Sequence, residues 1–187
     1  MGDRKQEILE LAAELLLVKG FCGFSYQDLS DRLGITKASI HHHFASKEAL
    51  GIAICDHFEN CYQEVMAAAA DSGGGPKALI EAKLEMGAEM AEMGDRCCPG
   101  GVLQAEYSSL PEKMQTRVDE LFAKHHANLT EVLEAGREAG QFQFEGEASD
   151  QAWFLLSTTQ GVMLSARVHG RGVYDAVARQ IRSHLYV

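Results

Sequence analysis

Between Phe24 and Leu50 the chain reads FSYQDLSDRLGITKASIHHHFASKEAL, which sets three helix starts and one helix stop within 27 residues. Ser25, Thr36 and Ser46 each carry a short side-chain oxygen that can accept from the unpaired N–H groups of a following first turn. Asp28, three residues beyond Ser25, places a carboxylate at the positive end of the first of these helices. Gly34 stops that helix, because glycine enters the left-handed conformation without steric cost. Helices this short are not stable alone, so Leu29, Leu33, Ile40 and Phe44 are expected to share a small core.

The rest of the chain has helical periodicity. Residues 3–20 carry Ile8, Leu11, Ala12, Leu15, Leu16 and Val18 on helical spacing, with Gly20 as a stop. The helix capped by Ser46 is expected to run to about Ala70, before the break DSGGGP at 71–76, where Pro76 can open a new helix. Periodicity resumes over 77–93, stops at Gly94-Asp95 and restarts after Cys97-Cys98-Pro99-Gly100-Gly101. Further helices are predicted at 111–139, 149–168 and 174–185, and residues 141–147 read as a loop. The expected fold class is all-α, about nine helices in all. An N-terminal three-helix domain over 1–50 (helix-turn-helix about 25–45) precedes a helical-bundle effector and dimerisation domain over 51–187.

Apolar residues make up 46% of the chain and charged residues 24%, which excludes a disordered polyelectrolyte. The longest aliphatic run, Leu15–Val18, is far too short to span a bilayer. The N-terminus has no apolar core of a secretion signal, and Gly2 lacks the Ser or Thr at position 6 that acylation would want. A cytoplasmic chain with no membrane partner is expected. The five cysteines form no regular framework and read as thiols. The net charge of −10 argues against a polyanionic partner until its distribution is considered. Residues 1–50 hold six Lys/Arg against seven Asp/Glu, whereas the remainder holds eleven against twenty. The acidity therefore lies away from Phe24–Leu50.

A helix that enters a DNA groove must anchor one face in its own core and present donors on the other. Ile40 and Phe44, at i and i+4, supply the inner face. Thr36, Lys37, Ser39, His42 and His43 are left outward, and Ala38 is small enough to permit close approach. Lys47 opens the next helix, where it can reach a phosphate beside free N–H groups. The stretch Thr36–Leu50, TKASIHHHFASKEAL, resembles the signature of the TetR family of transcriptional regulators. The upstream layout is similar too, with an amphipathic first helix, Gly20-Phe21, and Ser25 before Leu29 and Leu33. The match covers about residues 4–60, while the remainder agrees in general plan only.

That resemblance implies a homodimer on palindromic double-stranded operator DNA, with a helical domain whose small-molecule effector lowers DNA affinity. The implied function is a ligand-responsive repressor with no catalytic activity. By position, it sets Lys37, Ala38, Ser39 and His42 at bases or nearby phosphates, with Thr36 at the head of the same helix. It sets Ser25, Tyr26 and Lys47 at the DNA backbone. Many relatives carry Tyr where this chain has His41; histidine can still donate to a phosphate, and its charge would make that contact pH-sensitive near neutrality.

Other classes find less support. Three consecutive histidines fan out around a helix and cannot converge on one ion, so no metal and no cofactor are expected. A purely structural interaction module is the bland alternative for the three-helix unit. For a helical redox protein or enzyme, the chain lacks a Gly-rich phosphate loop, a C-x-x-C pair and a Gly-x-Ser-x-Gly turn. A thiol-based redox or electrophile-sensing regulator is the closer alternative. Cys97 and Cys98 precede a helix start, where the positive helix end and Arg96 would lower a thiol pKa. The bland reading is a small side chain packed at a turn.

Met86, Met90 and Met93 form one stripe of a helix, which is either ordinary core or part of an adaptable ligand pocket. In the pocket reading they are joined by Tyr62, Leu103, Tyr107, Phe122, His126, Trp153 and Phe154. The acidic composition would suit a cationic ligand only if a carboxylate lay inside. Ser157, Gly161 and Ser165 form a small-residue stripe on helix 149–168, flanked by Leu164, that would let two copies of the helix meet as a dimer interface. Packing within the monomer is the alternative.

Overall fold

The computed structural model describes residues 4–187. Among these the chain forms nine α-helices: α1 (Arg4–Lys19), α2 (Tyr26–Leu33), α3 (Lys37–His43), α4 (Lys47–Asp71), α5 (Gly75–Glu92), α6 (Pro99–Ala105), α7 (Glu112–Glu138), α8 (Ala148–His169) and α9 (Arg171–Leu185). A single 3-10 turn, Tyr107–Ser109, joins α6 to α7. The all-helical expectation holds, with shifts of a few residues at helix ends. The largest are at α6, which begins at Pro99 rather than after Gly101, and at α9, which begins immediately after Gly170 rather than at 174. The loop 141–147 also carries one pairing: Phe142 forms an isolated antiparallel bridge with Tyr186, which ties the C-terminal end to the α7–α8 connection. No helix among the described residues is long and apolar enough to cross a membrane.

Ile8, Ala12, Leu15 and Leu16 of α1 are buried against Leu29, Ile40, Phe44, Leu50 and Ile54, and together they form the N-terminal core. Helix α4 runs unbroken through residue 50, so it belongs to the first core at its start and to the bundle beyond. In the bundle α7 packs against α8 and α4, α8 against α9, and α5 lies against α4, α7, α8 and α9. The bundle is locked at its C-terminal end by Arg182, whose guanidinium forks onto both oxygens of Glu81 at 2.7–3.0 Å. Tyr174, fully enclosed, donates to the Leu84 carbonyl at 2.9 Å.

Candidate DNA interface and ligand cavities

Local capping sets the geometry of α2 and α3. Ser25 Oγ accepts from the Gln27 N–H, and the Asp28 carboxylate accepts from the Ser25 N–H at 2.8 Å. The Ser25 hydroxyl and then the Lys19 ammonium hold the Asp28 carboxyl well below the usual carboxylate range. Gly34 adopts φ +64°, and its N–H returns to the Ser30 carbonyl. Ser30 Oγ in turn donates to the Ile35 carbonyl, closing the turn between the helices. Thr36 Oγ1 caps the Ser39 N–H at 3.2 Å, and Ser46 Oγ caps that of Ala49 at 3.0 Å.

On this frame Ile40 is fully buried and Phe44 nearly so. Thr36, Lys37, Ala38, His41 and His42 are exposed and Ser39 is half-buried, which leaves a polar row along the outer side of α3. Ser25 is also exposed. The His41 ring lies 4.7 Å from that of Tyr26, and its Nδ1 is 3.3 Å from the Ala45 carbonyl.

Two residues expected at the DNA backbone are placed otherwise. Tyr26 is buried, and its hydroxyl donates to the Phe44 carbonyl at 2.9 Å. Burial pushes its pKa up to about 12. Its bulk fills the gap between α2 and the end of α3, so it positions the outer residues instead of joining them. Lys47 turns inward: Nζ donates to the Phe21 carbonyl at 2.6 Å and sits over the rings of Phe21 and Phe24. Burial lowers its pKa. A phosphate contact from Lys47 would require it to leave all three partners.

The α1–α2 turn is also the joint to the bundle. The Glu106 carboxylate, at the end of α6, accepts from the Phe21 N–H at 2.7 Å and the Cys22 N–H at 3.3 Å. Gly20, with φ +81°, leaves the space: a Cβ there would lie 2.4 Å from Glu106 Oε1. Arg167 of α8 donates to the Val18 carbonyl at 2.5 Å, and the Cys97 N–H to the Leu17 carbonyl at 3.0 Å. Sequence reasoning missed Glu106 and Arg167, because neither lies near a recognisable motif.

The ten residues expected to line one pocket divide between several places. Tyr62 lines a cavity of about 110 Å³ between α4, α5 and α7. Tyr107, Phe122 and Trp153 line a second, shallower cleft of about 600 Å³ against α6, α7 and α8. His126 stacks on Trp153 at 4.3 Å and meets the Ser149 carbonyl at 3.0 Å. Leu103 is core, Met86 and Met90 are half-buried, and Met93 and Phe154 are 54% and 51% exposed. A single pocket from this set is therefore corrected: Met93 lies just past the end of α5, and Phe154 is on the outward side of α8. The sequence reading also missed Lys83, which lines the smaller cavity. Its signal was available, since Lys83 falls beside Ile80 and Leu84 on the inward stripe of α5.

Cys97 is fully buried, and burial raises its pKa, so the expectation of an activated thiol there is corrected. Arg96 reaches toward Glu14, at 4.0 Å, and so has a carboxylate partner of its own. Cys98, half-buried, is the N-cap residue of the seven-residue α6. On α8, Trp153, Phe154, Leu164 and Val168 are exposed, as are Ser157, Gly161 and Ser165 between them. A Cβ on Gly161 would meet no atom within 4 Å, so packing within the monomer does not explain that stripe. Among the described residues no cluster of His, Cys, Asp and Glu is arranged to hold a metal.

A capped, tight-turned helix pair with an exposed polar second helix, set on a helical bundle, defines a helix-turn-helix DNA-binding protein. Residues 8–54 match the family described as bacterial regulatory proteins, tetR family, and residues 76–182 match the tetracyclin repressor-like C-terminal domain. The chain belongs to the TetR family of bacterial regulatory proteins. It is similar to the HTH-type transcriptional repressor NemR of Escherichia coli K12, at 28% identity over 89% of this chain and 85% of that protein. It is also similar to the transcriptional repressor KstR2 of Rhodococcus jostii RHA1, at 28% over 97% and 89%. Among solved structures, a TetR-family regulator from Agrobacterium tumefaciens superposes with a TM-score of 0.92 at 29% identity, covering 98% of this chain and 97% of that one. The reduced form of E. coli NemR does so with 0.84 at 26%, covering 98% and 97%. The chain is thus a ligand-responsive DNA-binding transcriptional regulator and not an enzyme, and regulators of this family bind operator DNA and act as dimers.

Proposed function

We propose that this chain is a cytoplasmic repressor that binds a palindromic operator as a homodimer and is released by a small molecule. The observation that carries the reading is the outer row of α3, held rigidly by Ile40, Phe44 and Tyr26. Lys37, Ala38, Ser39 and His42 address bases or adjacent phosphates from that row. Ser25, Thr36 and His41 address the backbone. The division of labour falls near residue 50, with residues 1–50 reading DNA and 51–187 holding the effector and the dimer seam. The exposed α8 stripe, centred on Gly161 and flanked by Ser157, Leu164 and Ser165, is the seam. That NemR and KstR2 are both transcriptional repressors supports the sign of regulation.

Coupling runs through the joint at residues 17–22. A ligand that displaces α6 or α8 moves Glu106 or Arg167, and with them the end of α1 and the start of α2. Moving an operator-competent population from 1:99 to 99:1 needs about 5.5 kcal/mol of differential affinity between the two states. The test is a gel shift with DNA from upstream of the protein's own gene across a salt series. Sequence-specific binding that weakens steeply with salt is expected from phosphate contacts. Binding without sequence preference, or none, overturns the reading.

A second reading, thiol sensing, is favoured by one observation: Cys98 is half-buried, so its thiol is more open to an oxidant than that of the fully buried Cys97. Diamide should then release the protein from operator DNA, with rescue by excess thiol, and Cys98→Ser should be insensitive. Release that persists in Cys98→Ser rejects it.

A further inference from the structure

The smaller cavity, between α4, α5 and α7, contains an uncompensated charge. Lys83 makes no hydrogen bond and no ion pair among the described residues; its ammonium lies 5.5 Å from the centre of the Tyr62 ring. The side chains of Tyr62 and Asn128 line the same cavity and likewise make no hydrogen bond. All three residues are half-buried, so a cation and two neutral polar side chains converge on one part-open cavity with no protein partner to compete for them, the make-up of a small-ligand site.

No carboxylate of the chain fills that role. Glu59, buried on the same helix as Tyr62, is already engaged by Lys124, by His125 at 2.7 Å and by Gln63 at 3.0 Å. Cys98 and His125 are the other titratable groups that influence Lys83 electrostatically, and neither is hydrogen-bonded to it. Burial lowers the Lys83 pKa, a desolvation cost that an anion beside the ammonium would offset. The remaining wall is apolar, with Met66, Leu79 and Val132 among its residues.

We propose that this cavity binds a small organic anion, a carboxylate on a short apolar body, with Lys83 as counter-charge and Tyr62 and Asn128 as hydrogen-bond donors. The inference rests on the regulator reading above and names the chemical class of its effector. It also reverses what the acidic composition suggests, because the interior of this bundle offers a cation. A cavity of about 150 Å³ accommodates benzene, so the smaller volume here, about 110 Å³, suits a body no larger than a ring or a short chain.

Butyrate and benzoate, each against its neutral amide, are titrated into the full-length protein by calorimetry and thermal shift. The carboxylates should bind and raise the melting temperature, and the amides should bind at least about tenfold more weakly, as expected when a charged hydrogen bond is lost. Lys83→Met should weaken carboxylate binding by a similar factor without lowering the melting temperature of the ligand-free protein. Lys83→Arg should keep binding within a few-fold. Equal binding of acids and amides, retained binding in Lys83→Met, or no binding of either carboxylate overturns the proposal. If Lys83→Met fails to fold, the acid–amide contrast and Lys83→Arg decide it. Operator binding by the same preparation is read separately: intact DNA binding without carboxylate binding sinks this inference alone. Absent DNA binding sinks the regulator reading.

Discussion

The N-terminal three-helix unit and the helical bundle behind it leave different things unpaired. In the first, the turns are closed by their own side chains, and what faces outward is a polar row on a rigid helix. In the second, an apolar stripe on α8 is exposed and three polar side chains surround a void. The N-terminal unit closes its own turns and offers a polar face, whereas the bundle offers an apolar face and a cavity. The dimer seam proposed above would cover the first with a second copy of the chain, and the proposed effector would enter the second.

That contrast can be broken most sharply at Ile40. Truncation to Ala removes a fully buried anchor and should cost about 2–5 kcal/mol. Operator binding should be lost while far-UV circular dichroism retains the bundle's helices; a chain that melts as a whole at the same temperature as wild type would show the anchor to be dispensable. Next in size is Gly161→Leu, where the added side chain meets nothing in the monomer. Light scattering should report a weakened dimer with unchanged helicity, and operator affinity should fall about a hundredfold as two-site engagement is lost. A variant that remains dimeric and active moves the seam elsewhere.

Smaller effects test the joint and the lock. Glu106→Ala removes the acceptor of the Phe21 and Cys22 amides, at a cost of about 1 kcal/mol. Hydrogen exchange at those two amides should accelerate several-fold while α3 is unaffected; unchanged exchange would show that the joint is held by other contacts. Smallest is the acid response of Glu81→Gln. The Arg182 fork lowers the folded-state pKa of Glu81 below its ordinary 4.5, so its contribution is present above that value and lost as pH falls through the folded pKa. Because the pair is about one-third exposed, it contributes at most about 1 kcal/mol. Melting temperature should fall more steeply between pH 6 and pH 3 in the wild type than in the variant, and parallel curves would remove the pair from the stability of the bundle.

The same contrast governs what could be read from residues alone. Ser25, Thr36, Ser46 and Gly34 act within a few positions of themselves, so the boundaries of α2, α3 and the start of α4 were legible. The direction of Lys47 was not, because its partner is a carbonyl 26 residues earlier. Nor was that of Tyr26, whose hydroxyl meets a carbonyl 18 residues later. In the bundle, helical spacing places Met86 and Met90 on a half-buried face but does not say that the helix ends before Met93 turns out to solvent. Aromatic and methionine content could suggest a pocket; which residues share a wall depended on how α6, α7 and α8 pack. Lys83 was the exception, since a cation on an inward stripe is a local signal, and it was passed over.

The joint at residues 17–22 is made from main-chain atoms on the N-terminal side: two amides and three carbonyls meet Glu106, Arg167, Lys47 and the Cys97 N–H. Beyond the glycine at 20, these hydrogen bonds ask nothing of side-chain identity in residues 1–46. Operator preference and effector preference can therefore drift separately under selection. A bundle of this kind can inherit a new address by recombination upstream of residue 47 and still deliver its signal. A chimaera with the first 46 residues of a relative carrying that glycine should answer to this chain's effector on the relative's operator.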